Sequence, residues 1–374
     1  MRPAVIVRKG ILCVALIVGG WGGCSFTPAG KGNSGAGGNG NTTGLGNFGG
    51  TNTGTGNQTG AGNSGGGTEC GEVDMPSSKL PPDILIVLDR SGSMQQDPAT
   101  GQNCNTPGCS KWDQTTSAIN MVLGQTDTTV NWGLKLFGSS SGCTVNAMTE
   151  VPVATMNAMA MQNRIGMTTP GSSTPTRAAV EVATTYLQGL TTMPNPKFLL
   201  VATDGSPNCP ANCSGNTCMT TTNPAEEQAV VDAITTANTA GFKTFVVGVA
   251  TASDPDADMT LTNMANAGGV PRAGTPPYYP VASQADLVTA LGQIVTVAGS
   301  CTFQVPNPPT NDGTTSRGDI AVKGDGTVIP QDANNGWTYA DPSMMSINLN
   351  GSACDSVKAG TTTAVSIVFH CHVP

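Results

Sequence analysis

The stretch ILIVLDRSGSM, residues 84–94, decides the fold of this chain. Ile84 to Leu88 form an apolar run without alternation, the pattern of a strand buried on both faces at the centre of a parallel sheet. The run stops at Asp89, and Ser91 and Ser93 follow at alternate positions. A core strand that ends in a carboxylate and two hydroxyls presents oxygen ligands at the carboxyl edge of a sheet, where open α/β folds bind.

The residues that follow alternate between helical and strand patterns. A helix is expected over 112–123, a strand over 131–138 and a short edge strand over 149–154. TPTRAAVEVATTYLQGL carries Ala179, Val182, Ala183, Tyr186, Leu187 and Leu190 at helical spacing, with Thr174 as cap and Pro175 at the first helical position. KFLLVATDG (197–205) and KTFVVGVA (243–250) read as two more buried strands. Between them a helix has Asn223 as cap, Pro224 first, Glu226 at the capping-box position and Gly241 as terminator. A helix, strand and helix follow. This order predicts an α/β fold, a doubly wound and mostly parallel sheet with helices on both faces, over residues 70–300.

After Gly299 the texture changes to short alternating runs split by turns. Asp325-Gly326 between apolar runs signals a hairpin. Residues 301–374 are expected to form a small disulfide-stapled all-β appendage with Trp337 in its core.

Three segments bring oxygen donors to one rim of the expected sheet: Asp89, Ser91 and Ser93 after the first strand, Thr174 before a helix, and Asp204 at the end of a central strand. Carboxylates and hydroxyls without nitrogen or sulfur suit a hard divalent cation, Mg²⁺ first, with Ca²⁺ and Mn²⁺ as alternatives. The bland reading, in which the two aspartates only cap turns, does not explain three polar clusters on one rim.

D-x-S-x-S after a buried strand, a threonine in a TPT loop and a T-D-G strand end resemble the von Willebrand factor type A family. KTFVVGVA, LTNMANAGG and YYPVASQADLVTALGQI fit the same resemblance, which covers roughly residues 82–298. It implies a metal-ion-dependent adhesion site in which Ser91, Ser93 and Thr174 supply hydroxyls, while Asp89 and Asp204 bind directly or through water. A partner's acidic side chain would fill an open position on the ion.

The amino-terminal region points to export. Arg2, Arg8 and Lys9 precede the apolar run ILCVALIVGG, the layout of a signal peptide and too short for a transmembrane helix. Gly22-Gly23-Cys24 resembles the end of a bacterial lipobox, with Trp21 where leucine is usual. Residues 1–23 are therefore expected to leave, and Cys24 to carry lipid at the outer membrane or cell surface. Ordinary cleavage after Gly20-Trp21-Gly22, giving a periplasmic or secreted protein, is the alternative. Residues 24–69 include a run of Gly, Asn, Thr and Ser, GKGNSGAGGNGNTTGLGNFGGTNTGTGNQTGAGNSGGGT (30–68), with almost no apolar surface to bury. As a flexible coil that run spans about 35 Å, from roughly 5–6 Å times the square root of its length. It is expected to act as a tether.

Loss of residues 1–23 leaves 13 basic against 24 acidic residues, a net charge of −11. An acidic chain with no basic run cannot neutralise phosphates, which excludes nucleic acid as a partner. Of the 12 cysteines, Cys13 leaves with the signal and Cys24 takes the lipid, so ten remain for disulfides in an oxidising compartment. Topology divides them. Cys104, Cys109, Cys143, Cys209, Cys213 and Cys218 follow strands and belong to the rim of the metal site. Cys70, Cys301, Cys354 and Cys371 belong to the opposite end, with Cys70–Cys301 and Cys354–Cys371 the favoured pairs. The rim loops either wall the ion and shape ligand choice or only staple themselves.

Other signals carry less. Cys209, Cys213 and Cys218 suit disulfides better than zinc in an exported chain. Asp254, Asp256 and Asp258 open like a calcium loop, but Met259 and Ala265 stand where glycine and glutamate are needed. His370 and His372 face one side of a terminal strand without a third ligand. No Ser-His-Asp or Cys-His arrangement reaches the rim, so no enzyme activity is expected. The leading expectation is a surface-tethered module that captures a protein or peptide ligand through its ion. A structural or assembly component of the cell envelope, with the metal only stabilising the fold, is the alternative. A non-catalytic subunit of a metal- or ATP-dependent enzyme is disfavoured by the export signal.

Overall fold

The structure is a computed structural model that describes residues 73–138, 142–190, 194–210, 213, 224–251, 255–299, 301–309 and 315–371. The expected signal, lipid-bearing Cys24 and tether lie outside those residues.

Strand β2 (Asp83–Asp89) is buried along its whole length and lies at the centre of a six-stranded sheet of order β4-β3-β2-β5-β6-β7. Its neighbours β3 (Asn131–Phe137) and β5 (Lys197–Thr203) run parallel to it, as do β6 (Lys243–Val249) and β7 (Tyr279–Val281) beyond. Only the edge strand β4 (Val151–Ala154) is antiparallel.

Unbroken apolar strands need a core on each side, because successive side chains point to opposite faces. Ile84, Ile86 and Leu88 enter one core with α1 (Lys111–Thr126), α2 (Ala158–Gly166) and α6 (Gln284–Ala298). Leu85 and Val87 enter the other with α3 (Thr176–Gly189), α4 (Pro224–Thr239) and α5 (Pro255–Ala267). The doubly wound α/β architecture is as the sequence predicts. No helix among the described residues is long and apolar enough to cross a membrane.

Two local details differ. The cap position of α3 falls on Pro175 rather than Thr174, and no side chain caps that helix. Asn223 lies outside the described residues, and with it the expected capping box; Glu226 also pairs with Arg177 Nε at 3.1 Å. Residues 301–374 form the expected β sheets but add one short helix: α7 (Gly351–Lys358) lies between strands and packs Ala353, Cys354 and Val357, partly buried, against the appendage core.

The appendage has two antiparallel sheets around one core that contains Phe303, Val322, Trp337, Ile347, Ile367 and Phe369. One has the order β11-β12-β8 (Trp337–Tyr339, Ser346–Leu349, Thr302–Gln304). The other has β1-β13-β9-β10 (Val73–Ser77, Val365–Cys371, Thr315–Gly324, Thr327–Ile329). Asp325 and Gly326 turn the β9–β10 hairpin with φ of 46° and 82°, the positive pair that a tight hairpin turn requires. Strand β1 corrects the expected boundary at residue 70. Val73–Ser77 pairs with β13, so the β unit is built from both ends of the 73–371 region.

Candidate metal centre

The rim lies at the carboxyl ends of β2 and β5. From β2 the chain crosses one face through α1 to reach β3, and β5 is reached across the other face through α3. This reversal is the switch point at which open α/β sheets bind ligands. Asp89 ends β2 and Asp204 follows the last residue of β5. Ser91 and Ser93 stand where the chain leaves β2 for a short 3-10 helix, Gly92–Gln95.

Hydrogen bonds join these residues into one network. Asp89 Oδ1 accepts the Ser91 N–H at 2.7 Å, and Ser91 Oγ lies 3.0 Å from Ser93 Oγ. Ser93 Oγ donates to Asp204 Oδ1 at 2.8 Å. Two residues that sequence reasoning missed complete it. Thr203 Oγ1 donates to Asp89 Oδ2 at 2.5 Å, and Lys111 Nζ donates to Asp204 Oδ2 at 2.9 Å. The threonine was readable as the residue before the aspartate in ATDG. The lysine had no motif to mark it.

Thr174 is brought to the same rim by its loop. Arg90 Nη1 donates to the Thr169 carbonyl at 3.0 Å, and the Arg90 carbonyl accepts the Gly171 N–H at 2.5 Å. On the other side Thr174 N–H donates to Asn208 Oδ1 at 2.8 Å, and Asn208 N–H returns to the Thr174 carbonyl at 3.2 Å. The Thr174 hydroxyl makes no hydrogen bond among the described residues. Gly138 lets these loops meet. Its φ is +89°, and a Cβ there would stand 2.6 Å from Ser91 N and 2.8 Å from the Ser173 carbonyl. The Cys143–Cys209 disulfide fastens the loop after β3 to the loop that carries Asn208.

Cys104–Cys109 lies within the loop after β2, so these pairs keep to the rim group that topology predicts. At the opposite end the favoured pairing is corrected. Cys301 bonds to Cys354, which joins α7 to the start of β8 and excludes Cys70–Cys301 and Cys354–Cys371. Cys70 and Cys218 lie outside the described residues.

Two buried carboxylates share one buried ammonium, that of Lys111, so the cluster is one positive charge short when both are ionised. Asp89 is fully buried; burial first, and the neighbouring Asp204 charge second, push its carboxyl up to about 7. The donor set is all oxygen, and the hydroxyls of Ser173, Thr176 and Ser206 on the same rim are buried with no hydrogen-bond partner among the described residues. Such a set fits a hard divalent cation, which supplies positive charge and accepts hydroxyl and carboxylate oxygens together. Asp89, Ser91, Ser93, Thr174 and Asp204 are the residues that would hold it. Among the described residues no cluster of three or more His, Cys, Asp or Glu side chains offers a competing metal site.

Outside this centre, Asp256 and Asp258 fall in the first turn of α5, and Asp258 Oδ1 accepts the Tyr278 hydroxyl at 2.6 Å. Asp254 and His372 lie outside the described residues. His370 Nδ1 pairs with Asp319 at 2.9 Å.

Fold and rim together define a class. Residues 83–290 match the von Willebrand factor type A domain, and the chain belongs to that family. No curated protein matches the chain. Among solved structures it is similar to the pilus adhesin SpaC of Lactobacillus rhamnosus GG, at 13% identity and a TM-score of 0.43. That match covers 82% of this chain and 41% of SpaC, so the chain spans about two fifths of the adhesin's length. It is also similar to the PilB minor pilin of Streptococcus sanguinis, at 15% identity and a TM-score of 0.42, over 59% of this chain and 62% of PilB. A third is proximal thread matrix protein 1 of the mussel byssus, with a zinc-occupied MIDAS motif. It is 13% identical with a TM-score of 0.41, over 61% of this chain and 50% of that one.

Proposed function

We propose that the chain is an exported, surface-tethered binding module that captures a protein or peptide ligand through a divalent cation on the rim of its type A domain. One observation carries the reading: Asp89, Ser91, Ser93 and Asp204, whose side chains offer only oxygen to an ion, are joined in a single hydrogen-bonded network at the switch point of the sheet. A cation held by a few protein oxygens keeps open positions, and a carboxylate from the ligand fills one of them. Mg²⁺ is the first choice, with Ca²⁺ or Mn²⁺ as substitutes. The role we propose for it is capture without catalysis. Lipid on Cys24 and the Gly/Asn-rich tether hold the module at the outer membrane or cell surface.

Chelator tests this directly. Immobilised protein is exposed to cell-surface extract with Mg²⁺, and again with a chelator. Loss of a defined partner on chelation is the expected result. Chelator-sensitive melting with no partner at any Mg²⁺ concentration would instead assign the ion to stability of an envelope component.

A further inference from the structure

Lys111 is the first residue of α1, and its position is set by local bonds. Its N–H donates to the Gln96 carbonyl at 2.8 Å, while Ser110 and Asp113 form a capping box around the helix start. From there the side chain runs inward, 9% exposed, to place Nζ 2.9 Å from an Asp204 Oδ2 that is wholly buried. The other Asp204 oxygen accepts Ser93 Oγ. Both oxygens of a ligand carboxylate are therefore engaged, one of them by a buried positive charge.

We propose that Lys111 is a tethered cation that competes with the divalent ion for Asp204, so that metal loads only by displacing the ammonium. This rests on the reading that the rim holds a divalent ion. An ammonium and a metal ion cannot share one carboxylate oxygen at contact distance, because like charges repel strongly where water is excluded. Breaking a buried pair is costly unless the carboxylate gains another cation and the ammonium finds solvent. The ion binds only those molecules in which Asp204 is released, and its apparent affinity falls by that fraction. Lys111 thus sets the divalent concentration at which the module becomes competent to capture its ligand.

The test uses the full exported chain. Mg²⁺ and Mn²⁺ are titrated calorimetrically into wild type, Lys111→Met and Asp89→Ala. Methionine keeps the apolar stem and removes the charge. If the released state is about a tenth of the wild-type population, Lys111→Met binds about tenfold tighter. In parallel, acetylation of Lys111 by an amine-reactive ester is followed by peptide mass spectrometry with chelator and with saturating Mg²⁺. Displacement makes Lys111 acetylate faster when the ion is bound. Unchanged or weaker binding by Lys111→Met overturns the proposal. Tighter binding with no gain in Lys111 labelling also overturns it, because the lysine then acts through space without leaving Asp204. Absence of binding by both wild type and Lys111→Met refutes the metal reading itself, whereas binding by Lys111→Met alone is displacement at its limit.

Discussion

Ser93 Oγ donates to Asp204 Oδ1 at 2.8 Å, across 111 residues of sequence. The bond ties the loop after β2 to the residue that follows β5, so the hydroxyls after one strand and the carboxylate after the next are held together. Asp89 belongs to the same cluster through Ser91.

The Asp89 carboxyl, pushed up to about 7, makes stability depend on pH. Between about pH 4, where an unfolded aspartate titrates, and pH 7, the folded state holds a proton that the unfolded chain has lost. The contribution is fully present below the unfolded value and is lost as pH rises through about 7. In chelator, wild type should therefore lose stability relative to Asp89→Asn between pH 5 and pH 8, by at most about 1.4 kcal/mol per pH unit. Melting curves of the two proteins across that range decide it. Parallel profiles would show that Asp89 is ionised throughout.

Gly138→Ala should disturb the rim more than its size suggests. The added methyl group would meet backbone atoms of Ser91 and Ser173 at a positive φ, costing ~1–3 kcal/mol and displacing the Ser91 loop. Gly101 also has a positive φ but no atom within 4 Å of its Cβ position, so Gly101→Ala should lose less. Urea midpoints rank the two, and equal losses would argue against the close approach at Gly138.

The residues of the candidate site were more legible in the sequence than their supports. Asp89, Ser91, Ser93, Thr174 and Asp204 were readable because short oxygen side chains sat at strand ends and in one loop. Lys111 was not, because a long flexible side chain reaches across a loop that no local pattern describes. Strand β1 escaped because VDMPS is short, contains Pro76 and alternates between half-buried and exposed positions. Only its pairing with β13 makes it a strand. Helix α7 is two turns long and offers only Ala353, Cys354 and Val357 to the core, too short a stripe to read among the turns, and the Cys301–Cys354 pairing depends on where that helix lies. The division of the bonded cysteines between rim and base followed from topology, whereas partners within the base followed from packing.

Replacing Cys143 and Cys209 together by alanine should cost about 2–4 kcal/mol, because the bridge closes a loop between residues 66 apart. It should also weaken divalent-ion binding, since Asn208 next to the bridge holds Thr174 in place. Guanidinium denaturation and Mn²⁺ titration report the two effects separately. An unchanged midpoint would make the bridge incidental to stability.

The anchoring proposal is tested at Cys24. Cys24→Ser should move the protein from the membrane fraction to the soluble one, because removal of the lipid leaves only a polar tether. Equal membrane association of both forms would favour cleavage by ordinary signal peptidase and another mode of attachment.

The most direct measurement is the thermal response of the tether-free chain to millimolar Mg²⁺. A ligand that binds only the folded state stabilises it by RT ln(1 + [L]/Kd), about 2.7 kcal/mol at a hundredfold excess over Kd. Wild type should melt at a higher temperature with Mg²⁺ than with chelator, and Asp89→Ala should lose that rise while keeping its far-ultraviolet spectrum. If wild type and Asp89→Ala respond alike to Mg²⁺, Mn²⁺ and Ca²⁺, the rim holds no divalent ion.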